Sequence, residues 1–323
     1  MKKIYHFSGA GNDFVVIDGR EGDVSAFREV PCIPALCQQH KTDGLMILGQ
    51  EMPGQAGHDE EKQAGHDGGS AGSPTVMADP DRPSVDFVME FYNPDGSGGM
   101  MCGNGGRCIV AFADYLGIRP SCHPEQGLPS CHPELAEGSY LFRAPDGLHT
   151  GEILERPEDG LWTVRIKMID VQGITPMLGG YFLNTGTRHF VKFVDDVEQV
   201  DIDTEGKALR WNEAFAPVGT NVNFVHVAPD GLHVRTFEKG VEGETLACGT
   251  GLTASAIAAY FKDSFVGLRP PQNDKTTVIL SEANESYRLR ARQDWLSVNF
   301  TPGEGDRFTD VYLTGPARLV ATH

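Results

Sequence analysis

No run of this sequence is apolar for long enough to cross a bilayer, and its first residues, Met1-Lys2-Lys3-Ile4-Tyr5-His6-Phe7, carry no signal-peptide core. Those absences predict a cytoplasmic protein with no membrane partner. Positive charge is scarce: 27 Lys and Arg stand against 45 Asp and Glu, a formal net charge of −18. Such a surface disfavours nucleic acid, because binding there needs basic residues to displace counterions from phosphates. A small zwitterionic ligand stays open, since a few local groups set the charge inside a cleft. Cysteine is too sparse, and of the wrong parity, for a disulfide framework: seven in 323 residues, with no secretion signal. Reduced thiols are the expectation. No Gly-Lys-Ser/Thr follows the glycine-rich Gly96-Ser97-Gly98-Gly99 or Gly103-Asn104-Gly105-Gly106, and the strand–Gly-x-Gly-x-x-Gly–helix order is missing, so neither reads as a nucleotide loop.

With 40% hydrophobic and 22% charged residues, the composition is that of a soluble globular chain long enough for two cores. Two segments are poor in aliphatic residues and rich in turn formers. One, 50–82, repeats Gln-Ala-Gly-His-Asp at 55–59 and 63–67; the other, 120–138, repeats Pro-Ser-Cys-His-Pro-Glu at 120–125 and 129–134. Neither buries much apolar surface, and both are read as inserted surface loops. Cys122-His123 and Cys131-His132 imitate paired metal ligands, but a duplicated insert explains them as repetition, and no metal is expected.

The remainder alternates with period two in short runs such as Phe14–Ile17, Phe87–Tyr92, Trp162–Ile166, Phe190–Val194, Asn223–Val227 and Leu232–Phe237, which predict strands. Two segments predict helices instead, those after Cys102 and Cys248. Each is apolar or small on nearly every face, so each is expected to be enclosed on all sides. The stretch Ser8-Gly9-Ala10-Gly11-Asn12-Asp13-Phe14-Val15-Val16-Ile17-Asp18 echoes Thr185-Gly186-Thr187-Arg188-His189-Phe190-Val191-Lys192-Phe193-Val194-Asp195, and each copy precedes one Cys-bearing helix. The expected fold is therefore α+β: two pseudo-symmetric domains, each a strand-rich, barrel-like sheet wrapped around a central helix, with the site in the cleft between them. The boundaries are placed at 1–147 and 148–309, with a C-terminal strand at about 310–323 returning to the first domain.

The chemistry lies in Cys102-Gly103-Asn104-Gly105-Gly106-Arg107-Cys108 and Cys248-Gly249-Thr250-Gly251. A cysteine at a helix mouth feels unpaired N–H groups and the positive end of the dipole, which favour thiolate. Gly103 and Gly249 let those N–H groups come close to a bound carboxylate. Two such mouths facing one carbon supply a thiolate base on one face and a thiol acid on the other. That arrangement inverts a stereocentre without a cofactor.

These segments resemble the diaminopimelate epimerase family, as do Gly9-Ala10-Gly11-Asn12-Asp13-Phe14, Phe91-Tyr92-Asn93-Pro94-Asp95-Gly96-Ser97, Ala144-Pro145-Asp146-Gly147, Asn221-Val222-Asn223-Phe224, Glu238-Lys239-Gly240 and Gly243-Glu244-Thr245-Leu246-Ala247. The resemblance implies epimerisation of L,L-diaminopimelate to the meso form, in lysine and peptidoglycan-precursor synthesis, by a homodimer that uses no cofactor. It implies that Cys102 and Cys248 are the acid/base pair, with Cys102 deprotonating the L,L isomer. It further implies that Glu238 and His189 aid catalysis, that Gly103, Asn104, Gly249 and Thr250 cradle the reacting carboxylate, and that Asn12, Asn93, Asn221, Glu238 and Lys239 bind substrate. Three positions depart from the family pattern: Lys239 stands where arginine is common, Thr187 where asparagine or serine is common, and Gly44 where some members carry glutamine.

Other residues take plainer readings. Cys32, Cys37 and Cys108 read as buried small hydrophobes, and His40, His58 and His66 as solvated. Asn12 and Asn93 also suit turns. Two rival functions remain at this point, an epimerase or racemase acting on another amino acid such as histidine or hydroxyproline, and a redox or metal-binding thiol protein.

Overall fold

A computed structural model describes residues 2–29, 31–50, 84–99, 101–120, 139–266, 285–292 and 294–323. All but the first residue of each expected insert, with both Cys-His pairs, lies outside the described residues.

The chain opens with a hairpin of β1 (Ile4–Gly9) and β2 (Asn12–Asp18), turned by Ala10 and Gly11, both at positive φ, as a tight two-residue hairpin requires. Two short helices, α1 (Ser25–Arg28) and α2 (Cys32–His40), lead to β3 (Leu45–Gly49), which lies parallel to β2. Then come β4 (Phe87–Tyr92), α3 (Gly103–Tyr115), β5 (Ser139–Ala144), β6 (Gly147–Glu158) and β7 (Leu161–Lys167). The second half runs through β8 (Ile174–Met177), β9 (Gly180–Asn184), β10 (Arg188–Phe193), α4 (Lys207–Arg210), β11 (Asn221–Ala228), β12 (Gly231–Glu238) and β13 (Gly243–Thr245). It ends with α5 (Gly249–Val266), β14 (Glu285–Arg290), β15 (Trp295–Pro302) and the 15-residue β16 (Phe308–Thr322).

Strands β1 to β7 pair in sequence order, and β16 pairs with both β7 and β1, closing an eight-stranded ring. The second half follows the path β16-β15-β14-β12-β11-β10-β9-β8, and its ends approach at a bridge between Val171 and Phe308. The pairing senses repeat. From β1 to β6 they run antiparallel, parallel, antiparallel, parallel, antiparallel, and from β9 through β10, β11, β12 and β14 to β15 they run the same way. The α+β arrangement of two matching strand-rich halves, each around one helix, is thus the observed fold. Strand β16 serves both: Ser297 to Asn299 of β15 pair with its first half, and β7 and β1 with its second.

The boundary at 147/148 does not divide the sheet. Gly147 begins β6, which folds straight back on β5 as a hairpin, so β6 and β7 complete the first ring. The Asp146-Gly147 turn is a hairpin turn and not a linker.

In α3 every residue from Gly103 to Ala113 is buried, with Phe112 packed on Tyr5 at 4.8 Å and on Phe7 at 5.6 Å between ring centroids. Helix α5 is likewise buried from Gly251 to Ala259, where its small residues fit the narrow interior. Its polar members are satisfied locally: Thr253 Oγ1 donates to Gly249 O at 3.0 Å and Ser255 Oγ to Gly251 O at 2.7 Å. That back-bonding removes the cost of burying two hydroxyls. Cys37 and Cys108 are buried as expected, whereas Cys32 is exposed, because α2 begins there on the outer surface of the ring.

Candidate active site

Both cysteines sit where the sequence places them, at the first residues of the two enclosed helices. Cys102 caps α3 with extended backbone, and its Sγ accepts the Gly105 N–H at 3.2 Å. Cys248 precedes α5, its carbonyl accepts the Leu252 N–H at 2.9 Å, and its Sγ lies 3.4 Å from Thr250 Oγ1. The two mouths touch. A Cβ on Gly103 would stand 3.6 Å from Gly249 Cα, and one on Gly249 would stand 3.3 Å from Gly103 Cα. Either Cβ would also strike Leu313 Cδ2 of β16, at 2.8 and 2.9 Å respectively. Glycine is required at both positions by this approach of two backbones.

Support on the first side runs through Asn104 and Arg107. Asn104 Nδ2 donates to Asn12 Oδ1 and, at 3.1 Å, to the carbonyl of Ala247, so it joins the first mouth to the residue before Cys248. The guanidinium of Arg107 is fully buried, and its acceptors are neutral oxygens: Gly103 O at 3.1 Å, Asn104 Oδ1 at 2.9 Å and Pro316 O at 3.3 Å. Among the described residues no carboxylate is hydrogen-bonded to it, Asp294 acting on it only through its charge, and its own charge favours the thiolate of Cys102.

On the second side His189 is fully buried. Its Nδ1 is 2.8 Å from Asn223 Oδ1, while Asn223 Nδ2 donates to Thr236 Oγ1 at 2.8 Å. That amide orientation assigns the proton to Nδ1 and leaves Nε2 as an acceptor, 2.9 Å from both Thr250 Oγ1 and Thr187 Oγ1. A chain of polar atoms thus runs from Cys248 Sγ through Thr250 to His189. Burial pushes His189 down to about 4, so the ring is neutral near pH 7 and a poor proton acceptor. It orients the Thr250 hydroxyl and holds no proton there.

Glu238, at the end of β12, receives a hydrogen bond from Thr245 Oγ1 at 2.9 Å, and burial raises its carboxyl above the usual range. Its charge acts on both thiols. The hairpin that carries it is braced by Glu244, which bonds Arg235 Nε at 2.8 Å and Arg292 Nε at 2.7 Å and is held down to about 2 by those two cations.

The thiols themselves depart from the expectation of a lowered pKa. Burial, seconded by the Glu238 charge, pushes Cys248 up to about 12, and burial raises Cys102 as well, against the help of the Gly105 N–H. Loss of hydration outweighs the helix terminus here. Both cysteines rest as thiols.

Asn12 and Asn221 are bonded into the network at the helix mouths, and the amides of all three asparagines are engaged within the chain. Asn12 Nδ2 donates to Asp43 Oδ2 at 3.3 Å. Asn221 donates to Thr187 Oγ1 at 3.2 Å and to Arg188 O at 3.0 Å, and its Oδ1 accepts the Lys239 N–H at 2.8 Å. Asn93 closes its own turn, donating to Ser97 Oγ at 3.0 Å. Lys239 is exposed. Gly44 is a packing position, because a Cβ there would lie 2.8 Å from Tyr92 O. Thr187 is a hub joining His189, Thr250 and Asn221. Arg107, Asn223 and Thr187 carry more of this geometry than their sequence context indicates. The available signals were a charge inside an apolar helix and an asparagine at an inward position of an alternating strand.

Fold and site define a class: a two-ring α+β protein with two enclosed helices whose mouths meet, each preceded by a cysteine. The architecture is shared with a solved Bacillus anthracis phenazine biosynthesis protein of the PhzF family, at a TM-score of 0.62 and 10% identity, over 100% of this chain and 98% of that one. A family model described as diaminopimelate epimerase matches residues 181–286. The diaminopimelate epimerase of Flavobacterium psychrophilum is 31% identical over 322 residues, 98% of each chain, and that of Aquifex aeolicus is 36% identical, covering 80% of this chain and 82% of the relative. The chain belongs to the diaminopimelate epimerase family, and as such it is an isomerase.

Proposed function

We propose that the protein converts L,L-diaminopimelate to the meso isomer with Cys102 and Cys248 as its two bases. The observation that carries this reading is the contact between Gly103 and Gly249, which sets two cysteine-capped helix mouths side by side. One thiolate removes the Cα proton. The electron pair left on Cα delocalises into the α-carboxylate, and the other thiol delivers its proton to the opposite face. Cys102 takes the proton from the L,L isomer, and the roles exchange in reverse. N–H groups of the first helical turns at Gly103, Asn104, Gly249 and Thr250 face the growing negative charge, where preset donors lower the barrier most.

Glu238 is the natural partner of the substrate's α-ammonium. Pairing neutralises the charge that opposes thiolate formation, so substrate binding itself eases ionisation of the two cysteines. His189 positions Thr250, and through it Cys248. Asn12, Asn93 and Asn221 hold the walls of the site around the distal end of the substrate, with Lys239 at the rim. The working units are the two rings, the first extending through β7 and sharing β16. A place in lysine and peptidoglycan-precursor synthesis, a cytoplasmic location and a homodimeric state complete the reading. Light scattering on a sizing column tests the last of these.

The direct experiment is incubation with L,L-diaminopimelate in deuterated, reducing buffer. The product is expected to be meso, with deuterium at Cα. Cys102→Ala and Cys248→Ala are each expected to abolish it while keeping the far-UV circular dichroism of the parent. Wild-type turnover in either variant ends the two-thiol mechanism.

A further inference from the structure

Beyond the thiol site, three imidazoles converge on the outside of the first ring. Alternation along β1 turns Tyr5 and Phe7 inward onto Phe112 and leaves His6 facing out. His40 ends α2. His323 follows β16 and is held beside β1 by reciprocal backbone bonds with Ile4, at 2.9 and 2.8 Å. Three elements far apart in sequence thus deliver ring nitrogens that all lie within 4.8 Å of one another. His6 Nε2 and His40 Nδ1 are 2.9 Å apart, and the His323 ring centroid is 4.9 Å from that of His6 and 5.7 Å from that of His40.

A hydrogen-bonded histidine pair would account for the 2.9 Å contact alone. It gives no reason for a third ring at the same point. Each imidazole can offer the lone pair of one ring nitrogen to a metal ion. The neighbouring cations point elsewhere: Lys2 Nζ donates to Asp18 O at 3.0 Å, and Lys3 Nζ sits 5.1 Å over the Tyr5 ring. Asp13 adds a negative charge that acts on His6. A cavity of about 470 Å³, lined by Lys2, Lys3, Ile4, Gln39, His40 and His323, adjoins the group and leaves room for a water ligand.

We propose that His6, His40 and His323 bind one divalent transition-metal ion of the zinc class, with the fourth position open to that cavity. Tetrahedral ligation at about 2.0–2.1 Å needs nitrogens roughly 3.3 Å apart. The His6–His40 pair opens by a few tenths of an ångström, and His323 swings inward. Three borderline nitrogen donors and no carboxylate select Zn²⁺, Cu²⁺ or Ni²⁺ over Ca²⁺ or Mg²⁺. Tyr5 packs against Tyr115 in the last turn of α3, so the ion lies away from Cys102 and takes no part in the reaction. Its effect is to tie β1, α2 and the end of β16 together, stabilising the folded chain by preferential binding.

The test uses tag-free, EDTA-stripped full chain, titrated with Zn²⁺ by calorimetry and with Co²⁺ by visible absorption. One saturable site per chain is expected, together with a rise in melting temperature on adding Zn²⁺. His6→Asn, His40→Asn and His323→Asn are each expected to weaken binding on the order of 100-fold and to remove the Zn²⁺-dependent rise. All three should keep the parent circular dichroism in EDTA; exposed His323 gives a readout even if His6→Asn folds poorly. Cys122→Ser/Cys131→Ser is expected to retain the site. No stoichiometric uptake, retention of tight binding in two of the histidine variants, or its loss in the cysteine variant overturns the proposal.

Discussion

Gly249→Ala tests how closely the two helix mouths meet. The added methyl would lie 2.9 Å from Leu313 Cδ2, 3.3 Å from Gly103 Cα and 3.7 Å from Gly103 N. Carbon atoms in contact prefer about 3.5–4.0 Å, so the methyl needs several tenths of an ångström more than it has. Leu313 can rotate away, but Gly103 is backbone inside a buried helix and moves only if α3 moves. Overpacking of this kind costs about 1–3 kcal/mol, of which better helix propensity at the new alanine returns only a fraction. A net loss of about 1–2 kcal/mol is expected in urea denaturation. Since a displacement of about 1 Å at a reacting centre costs roughly 100-fold, parting the mouths by a third to a half of that is expected to lower kcat about 5- to 10-fold. Gly249→Ala/Leu313→Ala relieves the side-chain clash alone, so its stability is expected to recover in part while kcat stays low. Gly243→Ala, where a Cβ meets nothing within 4 Å, is the neutral comparison. Wild-type stability and turnover in Gly249→Ala would refute the apposition. Full recovery of turnover in the double variant would assign the obstruction to Leu313 instead.

Removing the Glu238 charge by Glu238→Gln is expected to lower the pKa of both thiols, because a nearby anion disfavours thiolate. Alkylation of Cys248 by iodoacetamide at pH 8 should then accelerate, tenfold for each unit by which its pKa falls from about 12; an unchanged or slower rate rejects the assignment. His189 is lowered to about 4 in the folded chain against about 6.5 when unfolded, so between those values the unfolded chain binds the extra proton. Stability should therefore fall by about 3 kcal/mol as the pH drops from 6.5 to 4. His189→Gln should lose that part of the slope, and equal slopes in the two proteins would show that the buried ring is not its source.

Much of the site was legible because its signals are local. A cysteine, a glycine and an apolar helix stand next to one another at Cys102 and again at Cys248, and the echo between 8–18 and 185–195 marks β2 and β10, the matching strands of the two halves. What depends on distant partners was not legible. The high thiol pKa values come from burial by strands scattered along the chain. The amides of Asn12 and Asn221 are taken up by Asp43, Thr187 and Lys239, contacts that no spacing announces. Thr187 reads as a lost contact in sequence and is a junction in space. Read as solvated, His40 is half-buried, since His6 and His323 come to it only when β1 and β16 pair.

Because one uninterrupted strand belongs to both rings, the halves of this molecule share a beam where many two-part enzymes have a flexible linker. Any motion of one half against the other must bend or shear β16 at the step from Thr314, paired to β15, to Gly315, paired to β7. Leu313, which lies against both glycine mouths, rides on that beam two residues from its midpoint. Any flexing of the strand is therefore transmitted to the contact between the two helix mouths.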